Sequence, residues 1–423
     1  MPPRTLTSLI IATSLAACDA GAGASGAGPY VVVETRGDTT VVRTLSGSVW
    51  GADARLVPQI SIGEVEGPEE VLFGRIGSIA VDDEERMYVL DSQALNVRVF
   101  DSAGEYLETL GGPGEGPGEL SSAESVVLLA DGRVAVNDQL DHRVQLYRPG
   151  RGETEAWPYS AGVLIVGSRQ QLYADRHGRT FVVVPQFSSV GDFVRYAIVP
   201  LDSNGVPQDT LLPPGGDFEP PSVELELGMD SGPFRRISPT IPLTARHYWT
   251  LNPDGRFVTG VSTDYRVDME REDGVLRIER VYEPVAVSEA ERSYYREDTT
   301  RSMRLTQPDW SWNGPPIPET KPPFRGLIAG RDGRIWVQLW TEAYPEENED
   351  YDPDNPRSDP VTWPSPLRYD VFEPDGTYLG AVVPPEGFAD YPQPIFAGDD
   401  VWAVTRDALG VERVVRFRIE VEG

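Results

Sequence analysis

Sulfur and imidazole are scarce in this chain: 423 residues carry one cysteine, Cys18, and three histidines, His142, His177 and His247. One thiol cannot close an intramolecular disulfide, so no disulfide framework supports the fold. The histidines are out of metal-ligand spacing, and no thiol beyond Cys18 is available for catalysis. Positive charge is short as well. Lys and Arg number 37 against 67 Asp and Glu, a formal net charge of −30; such a surface repels a phosphate backbone, which excludes a nucleic-acid partner. That charge serves colloidal solubility or attracts a cationic ligand or Ca²⁺. The apolar stretch Leu9–Ala17 is too short to span a bilayer.

Turn formers, by contrast, are abundant, with 42 Gly and 38 Pro, and they recur on a beat. Asp131-Gly132-Arg133, His177-Gly178-Arg179, Asp254-Gly255-Arg256 and Asp332-Gly333-Arg334 each precede a short apolar run. Asp82-Asp83-Glu84-Glu85-Arg86 stands in the same place before MYVL, and Asp399-Asp400 before VWAV. A second set of turns follows one strand later, at Asp101-Ser102-Ala103-Gly104, Pro149-Gly150, Asp202-Ser203-Asn204-Gly205, Asp273-Gly274 and Glu373-Pro374-Asp375-Gly376. Glycine tolerates the positive φ of a tight turn, and an Asp side chain bonds the backbone two residues on, so each pair of turns implies an antiparallel unit of about 40 residues. The steps Arg86 to Arg133 (47) and Arg133 to Arg179 (46) fit one unit. Arg179 to Arg256 (77) and Arg256 to Arg334 (78) carry inserted loops.

The clearest copy, IAVDDEERMYVLDSQALNVRVFDSAGEYLETLGGPGEGPGEL, resembles an NHL-type repeat, and the chain is similar to bacterial six-bladed β-propeller proteins with a lipoprotein signal. The resemblance implies fold more than function, since such propellers bind proteins, bind nucleic acid or catalyse reactions. The expected fold is all-β: a six-bladed β-propeller of four-stranded antiparallel blades near 75–112, 118–160, 168–213, 240–284, 324–384 and 392–423. The last blade runs out of chain, so an N-terminal strand such as Leu56–Val65 is expected to close the ring and remove two exposed edges. Residues 30–45, two β-rich runs around Arg36-Gly37-Asp38, are expected to form a hairpin on or beside the propeller.

Residues 1–17 read as a signal peptide ending in Leu15-Ala16-Ala17-Cys18, which resembles a bacterial lipobox. The resemblance implies lipidation at Cys18; the alternative is an ordinary signal peptide with a leftover thiol. Residues 18–29 would then be the lipidated cysteine and a flexible tether, and 30–423 the propeller. The expected location is the bacterial cell envelope, membrane-anchored and facing the periplasm or cell exterior.

Strand parity places every acidic-glycine turn on one face and the long insertions, 213–239, 284–323 and 341–366, on the other, which makes the second the expected binding face. Ser288-Glu289-Ala290-Glu291 has the form of a capping box opening one short helix, 288–305, in which Ser288 and Glu291 satisfy unpaired amides; the helix either lids the ring or joins a site. Trp310, Trp312, Trp340, Tyr344 and Trp363 either stack on a ligand or pin their loops. Asp350, Asp352 and Asp354 have the alternate spacing of the first calcium ligands of an EF-hand loop, but Asn355 replaces the turn glycine and Val361 the bidentate Glu, so a solvated loop is the other reading. The starts of the inner strands offer Arg75, Glu124, Gln171, Arg246, Arg325 and Gln393 to the channel mouth, too few carboxylates for a calcium cage. The leading expectation is a monomeric, lipid-anchored module binding a protein, peptide or glycan, with Arg246, Arg325 and the aromatics as ligand contacts and no cofactor unless Ca²⁺. A metal-dependent lactonase or lyase and a structural envelope component are the alternatives.

Overall fold

In the computed structural model, residues 28–159, 171–186, 195–227 and 235–421 are described. Blade one comprises Ile76–Val81, Met87–Asp91, Asn96–Phe100 and Tyr106–Gly111, and blade two Ala123–Leu128, Val134–Asp138, Arg143–Arg148 and Glu153–Pro158, each an antiparallel sheet in chain order. Blade three has three strands, Leu172–Ala174, Thr180–Gln186 and Arg195–Leu201. Its fourth is reduced to two bridges, Leu201 with Pro207 and Ile198 with Leu211, because the proline-rich run VPQDTLLPP lacks the amides for a full ladder. Blade four is His247–Leu251, Phe257–Val261, Arg266–Arg271 and Gly274–Arg280; blade five is Phe324–Ala329, Ile335–Leu339, Tyr369–Phe372 and Tyr378–Val383.

Blade six takes Ile395–Ala397, Asp400–Arg406 and Glu412–Val421 from the C-terminus and Ala54–Ile62 from the N-terminus. The last two pair antiparallel from Val414–Ile62 to Val421–Ala54, the closure expected from the sequence. The hairpin Tyr30–Arg36 and Thr39–Ser46 turns at Gly37 and lies parallel to the outer strand of blade four, Thr39 opposite Val275. Between hairpin and closing strand, Trp50 donates its amide to Leu379 O at 2.8 Å on blade five and packs over Gly380, where a Cβ would come within 2.7 Å of the indole. The N-terminal segment is thus a belt across blades four, five and six.

The turns work as their chemistry requires. Asp82, Asp101, Asp175, Asp202 and Asn252 each accept two backbone amides, at 2.9–3.0 Å. The arginine after the turn staples blades together: Arg133 reaches Ser203 O at 2.9 Å, Arg179 Asp254 O at 3.0 Å and Arg334 Gly398 O at 2.8 Å. The apolar core is divided accordingly. Among the described residues six clusters lie one at each blade–blade interface, such as Val97, Leu110, Val126 and Val136 between blades one and two or Trp336, Tyr369, Phe396 and Phe417 between five and six. Side chains alternate along each strand, so Ile335 and Val337 face blade four while Trp336 faces blade six.

A seventh cluster belongs to no blade. Val223, Leu225, Ile241, Leu243, Val287, Trp310 and Ile317, with Tyr295, Met303, Trp312 and Trp340 packed against them, draw the insertions into a cap on the loop-rich face.

Candidate functional site

Helix α1, Glu289–Arg304, starts at Ser288, whose Oγ accepts the Glu291 amide at 3.1 Å. Half of the expected capping box is therefore present. The other half is corrected: the Glu291 carboxylate turns away from the Ser288 amide and into the protein, where its residue is 2% exposed and its Oε1 lies 2.9 Å from Lys321 Nζ. Lys321 is the only lysine in the chain and its side chain is fully buried. Its ammonium also donates to Thr341 O at 2.9 Å and Ser365 Oγ at 3.4 Å, and it lies 5.5 Å from the Trp340 ring centre. One cation thus ties the helix, the entry to blade five and that blade's long loop. The approach to Glu291 is off-axis, leaving Oε1 without an aligned donor.

Other contacts fasten the cap. Arg301 pairs with Asp298 at 2.6 Å and with Asp359 of the 341–366 loop. His247 Nε2 sits 2.8 Å from Pro214 O and 2.7 Å from Thr259 Oγ1, and desolvation pulls its pKa below the usual imidazole range. Trp310 is 2% exposed and its indole N–H donates to Glu224 O at 2.7 Å, a place inside the cap core rather than on its surface. Trp312 is half-buried, donating to Gly314 O at 2.9 Å under Arg296. These two pin loops. Tyr344 is exposed, its hydroxyl on Glu342, and Trp363 is half-buried 6.3 Å from the Tyr294 ring.

The calcium reading of Asp350, Asp352 and Asp354 is corrected. All three are exposed; the Asp350 and Asp354 amides donate to Asn348 and Asp352 in successive turns, and the Asp352 amide donates to Ser358 Oγ. Among the described residues no group of three or more His, Cys, Asp or Glu could hold a metal. Nor does a concavity of about 350 Å³ between blades one and two offer free carboxylates: Glu108 accepts the Gly150 amide, Glu119 that of Gly116, and Glu153 pairs with Arg148.

The channel mouth is different. In blades one, two and five the inner strand is bulged at its start, placing Gly77, Glu124 and Arg325 at one equivalent position. A bulge re-aims the extra side chain. Arg325 is half-buried, its guanidinium 5.0 Å from the Trp340 ring centre, and its Nε is out of water without an acceptor. Its charge reaches the hydroxyls of three tyrosines. Tyr369 is fully buried with an unpartnered hydroxyl; desolvation and the charge of Asp390 raise its pKa, and Arg325 opposes them. Tyr295, on helix α1, is pushed up to about 12 chiefly by burial, and Tyr248 is raised by burial, in both cases against Arg325. Gln338 donates to Asp390 at 2.9 Å. Arg246 is exposed at the start of blade four, its amide on Ser262 Oγ at 3.0 Å. Cys18 lies outside the described residues, as do residues 228–234 of the first insertion.

A family described as a 6-bladed beta-propeller, DUF5128, matches residues 62–143. The chain folds as a six-bladed β-propeller. Among solved structures, a DUF4221 member from Bacteroides vulgatus aligns with a TM-score of 0.52 at 9% identity, over 88% of this chain and 99% of that one. A streptogramin B lyase aligns at TM-score 0.41 and 10% identity, over 88% and 100%. A gluconolactonase from Xanthomonas campestris aligns at 0.37 and 11%, over 87% and 90%. These likenesses concern the fold alone. No curated protein matches the chain.

The sequence signal for Lys321 was its uniqueness. Nothing local marked Tyr369, which lies in an ordinary strand of blade five.

Proposed function

We propose that this protein is a binding module of a bacterial cell envelope, lipid-anchored through Cys18, whose capped propeller face takes a protein, peptide or glycan. The observation that carries the reading is the cap. Insertions leaving the ring at separate points condense on one face around a shared apolar core and buried ion pair, whereas among the described residues the opposite face has short turns only. An ordered superstructure on one side of a rigid ring is what a recognition surface requires. The small-residue segment Asp19–Pro29 suits a tether, with a root-mean-square reach of about 18 Å.

Two measurements test this. Cys18→Ser should move the protein from membrane to soluble fraction, since acyl chains contribute about 0.8 kcal/mol per buried CH₂; membrane retention without fatty-acid uptake by the parent overturns the anchor. Residues 30–423 should bind members of a peptide and glycan array. Tyr344→Ala and Trp363→Ala should weaken that binding by about 1–3 kcal/mol, while Glu84→Ala and Glu272→Ala on the turn face leave it unchanged. Array-wide silence, or sensitivity to the turn face alone, overturns the face; Ca²⁺-dependent hydrolysis of a lactone panel would replace binding with catalysis.

A further inference from the structure

We propose that Arg325 and the Tyr369 hydroxyl form a carboxylate-binding site at the mouth of the channel, under the cap. The proposal rests on the capped-face reading and names the chemistry that face would recognise.

Charge pairing singles out Arg325. Carboxylates outnumber cations almost two to one in this chain. The most enclosed arginines all reach one: Arg98 meets Asp91, Arg133 Glu155, Arg143 Asp138, Arg280 Asp370, Arg334 Glu373 and Arg416 Glu85. Arg325 has no ion pair among the described residues, although its Nε is buried. Its neighbour Lys321 is already matched by Glu291 and does not compete for an anion. The Tyr369 hydroxyl belongs to the same blade, two strands over, where Tyr369 and Gly326 both stand opposite Gln338 on the strand between them, and it is likewise buried without a partner.

More than about 90% of buried polar groups in native proteins are hydrogen-bonded, so the Arg325 Nε and the Tyr369 hydroxyl, both unfilled, and an arginine with no ion pair ask for an acceptor carrying negative charge, which must sit on the Arg325 side of the tyrosine, away from Asp390. A guanidinium edge and a hydroxyl match the two oxygens of a carboxylate. The bulge at Arg325 aims that edge, and Trp340 holds the plane of the guanidinium from the cap side. Such a carboxylate belongs either to an amino-acid or peptide terminus or to a uronic sugar.

The test uses the full chain with arginine side chains isotopically labelled. N-acetyl-L-alanine and D-glucuronate are the probes; N-acetyl-L-alaninamide and the glucuronate methyl ester are their neutral controls. At least one acid should shift the Arg325 Nε–H resonance saturably, and its neutral control should not; the acid that does so identifies the source. In ligand-observed saturation transfer, Arg325→Gln should weaken that probe on the order of tenfold or more. Tyr369→Phe should weaken it severalfold without lowering the melting temperature, since it removes a hydroxyl that has no partner. A purely structural Tyr369 would leave the probe unaffected. The site is wrong if neither acid saturates, if the neutral controls shift Arg325 equally, or if both variants bind like the parent. Array binding that survives Arg325→Gln but not Tyr344→Ala would leave the capped-face reading standing while this site falls.

Discussion

Lys321 and Glu291 show why a buried pair is costlier to break than to replace. Each charge has left water, and the attraction between them offsets that loss only while both are present. Lys321→Met or Glu291→Leu alone should cost about 3–5 kcal/mol in urea denaturation, whereas the double variant Glu291→Leu/Lys321→Met should cost much less than the sum. Additive losses would mean that the pair is not energetically coupled. The capping box made Glu291 visible in the sequence but assigned its carboxylate to the wrong partner, because local spacing cannot foresee a cation thirty residues away. Glu85 shows the same override. It occupies a positive-φ turn position, 60°, that glycine fills in other blades, and its carboxylate pairs with Arg416 of blade six at 2.7 Å.

At the level of elements, helix α1 has little apolar surface, with Glu291 its one buried residue. Ends and ion pairs hold it, through Ser288, Lys321 and Arg301, so its capping signal and not an apolar stripe exposed it in the sequence. The N-terminal belt separates into parts with different duties. Removing residues up to Ser46 takes only a hairpin from the outside of blade four, and the ring should still melt in one transition a few degrees lower. Removing residues through Ile62 takes the fourth strand of blade six and opens the ring; the transition should broaden or vanish, as it should on deleting Arg413–Val421. Equal melting of the two N-terminal truncations would show that closure contributes nothing. The closing strand was legible as a deficit, since the sixth unit lacked a strand and Leu56–Val65 was free to supply it; the observed strand, Ala54–Ile62, begins two residues earlier and ends three residues sooner.

Across the whole molecule, short turns on one face carry dense local ion pairs and the opposite face carries the cap, all on a chain of net charge −30. The pairs attract over a few ångströms, whereas the net charge repels across the entire ring. Salt near physiological strength screens beyond about 8 Å and so weakens repulsion more than the close pairs. The melting temperature should therefore rise from low to physiological sodium chloride. A fall would mean that the pairs between turns outweigh the repulsion.

The sequence alone determined the blade count, the turns, the closing strand and the face that bears the insertions, because each depends on contacts between residues near in the chain or on a repeat that copies itself. It also put Arg325 at the start of an inner strand, where the structure has it in a bulge. The tertiary structure decided that Trp310 and Trp312 are anchors of the cap, that Asp350, Asp352 and Asp354 shape turns instead of gathering around a cation, and that Arg325 and Tyr369 keep hydrogen-bonding capacity unfilled. Those outcomes rest on which side chains meet across blades and insertions dozens of residues apart, and burial and charge pairing at such distances are properties of the packed molecule.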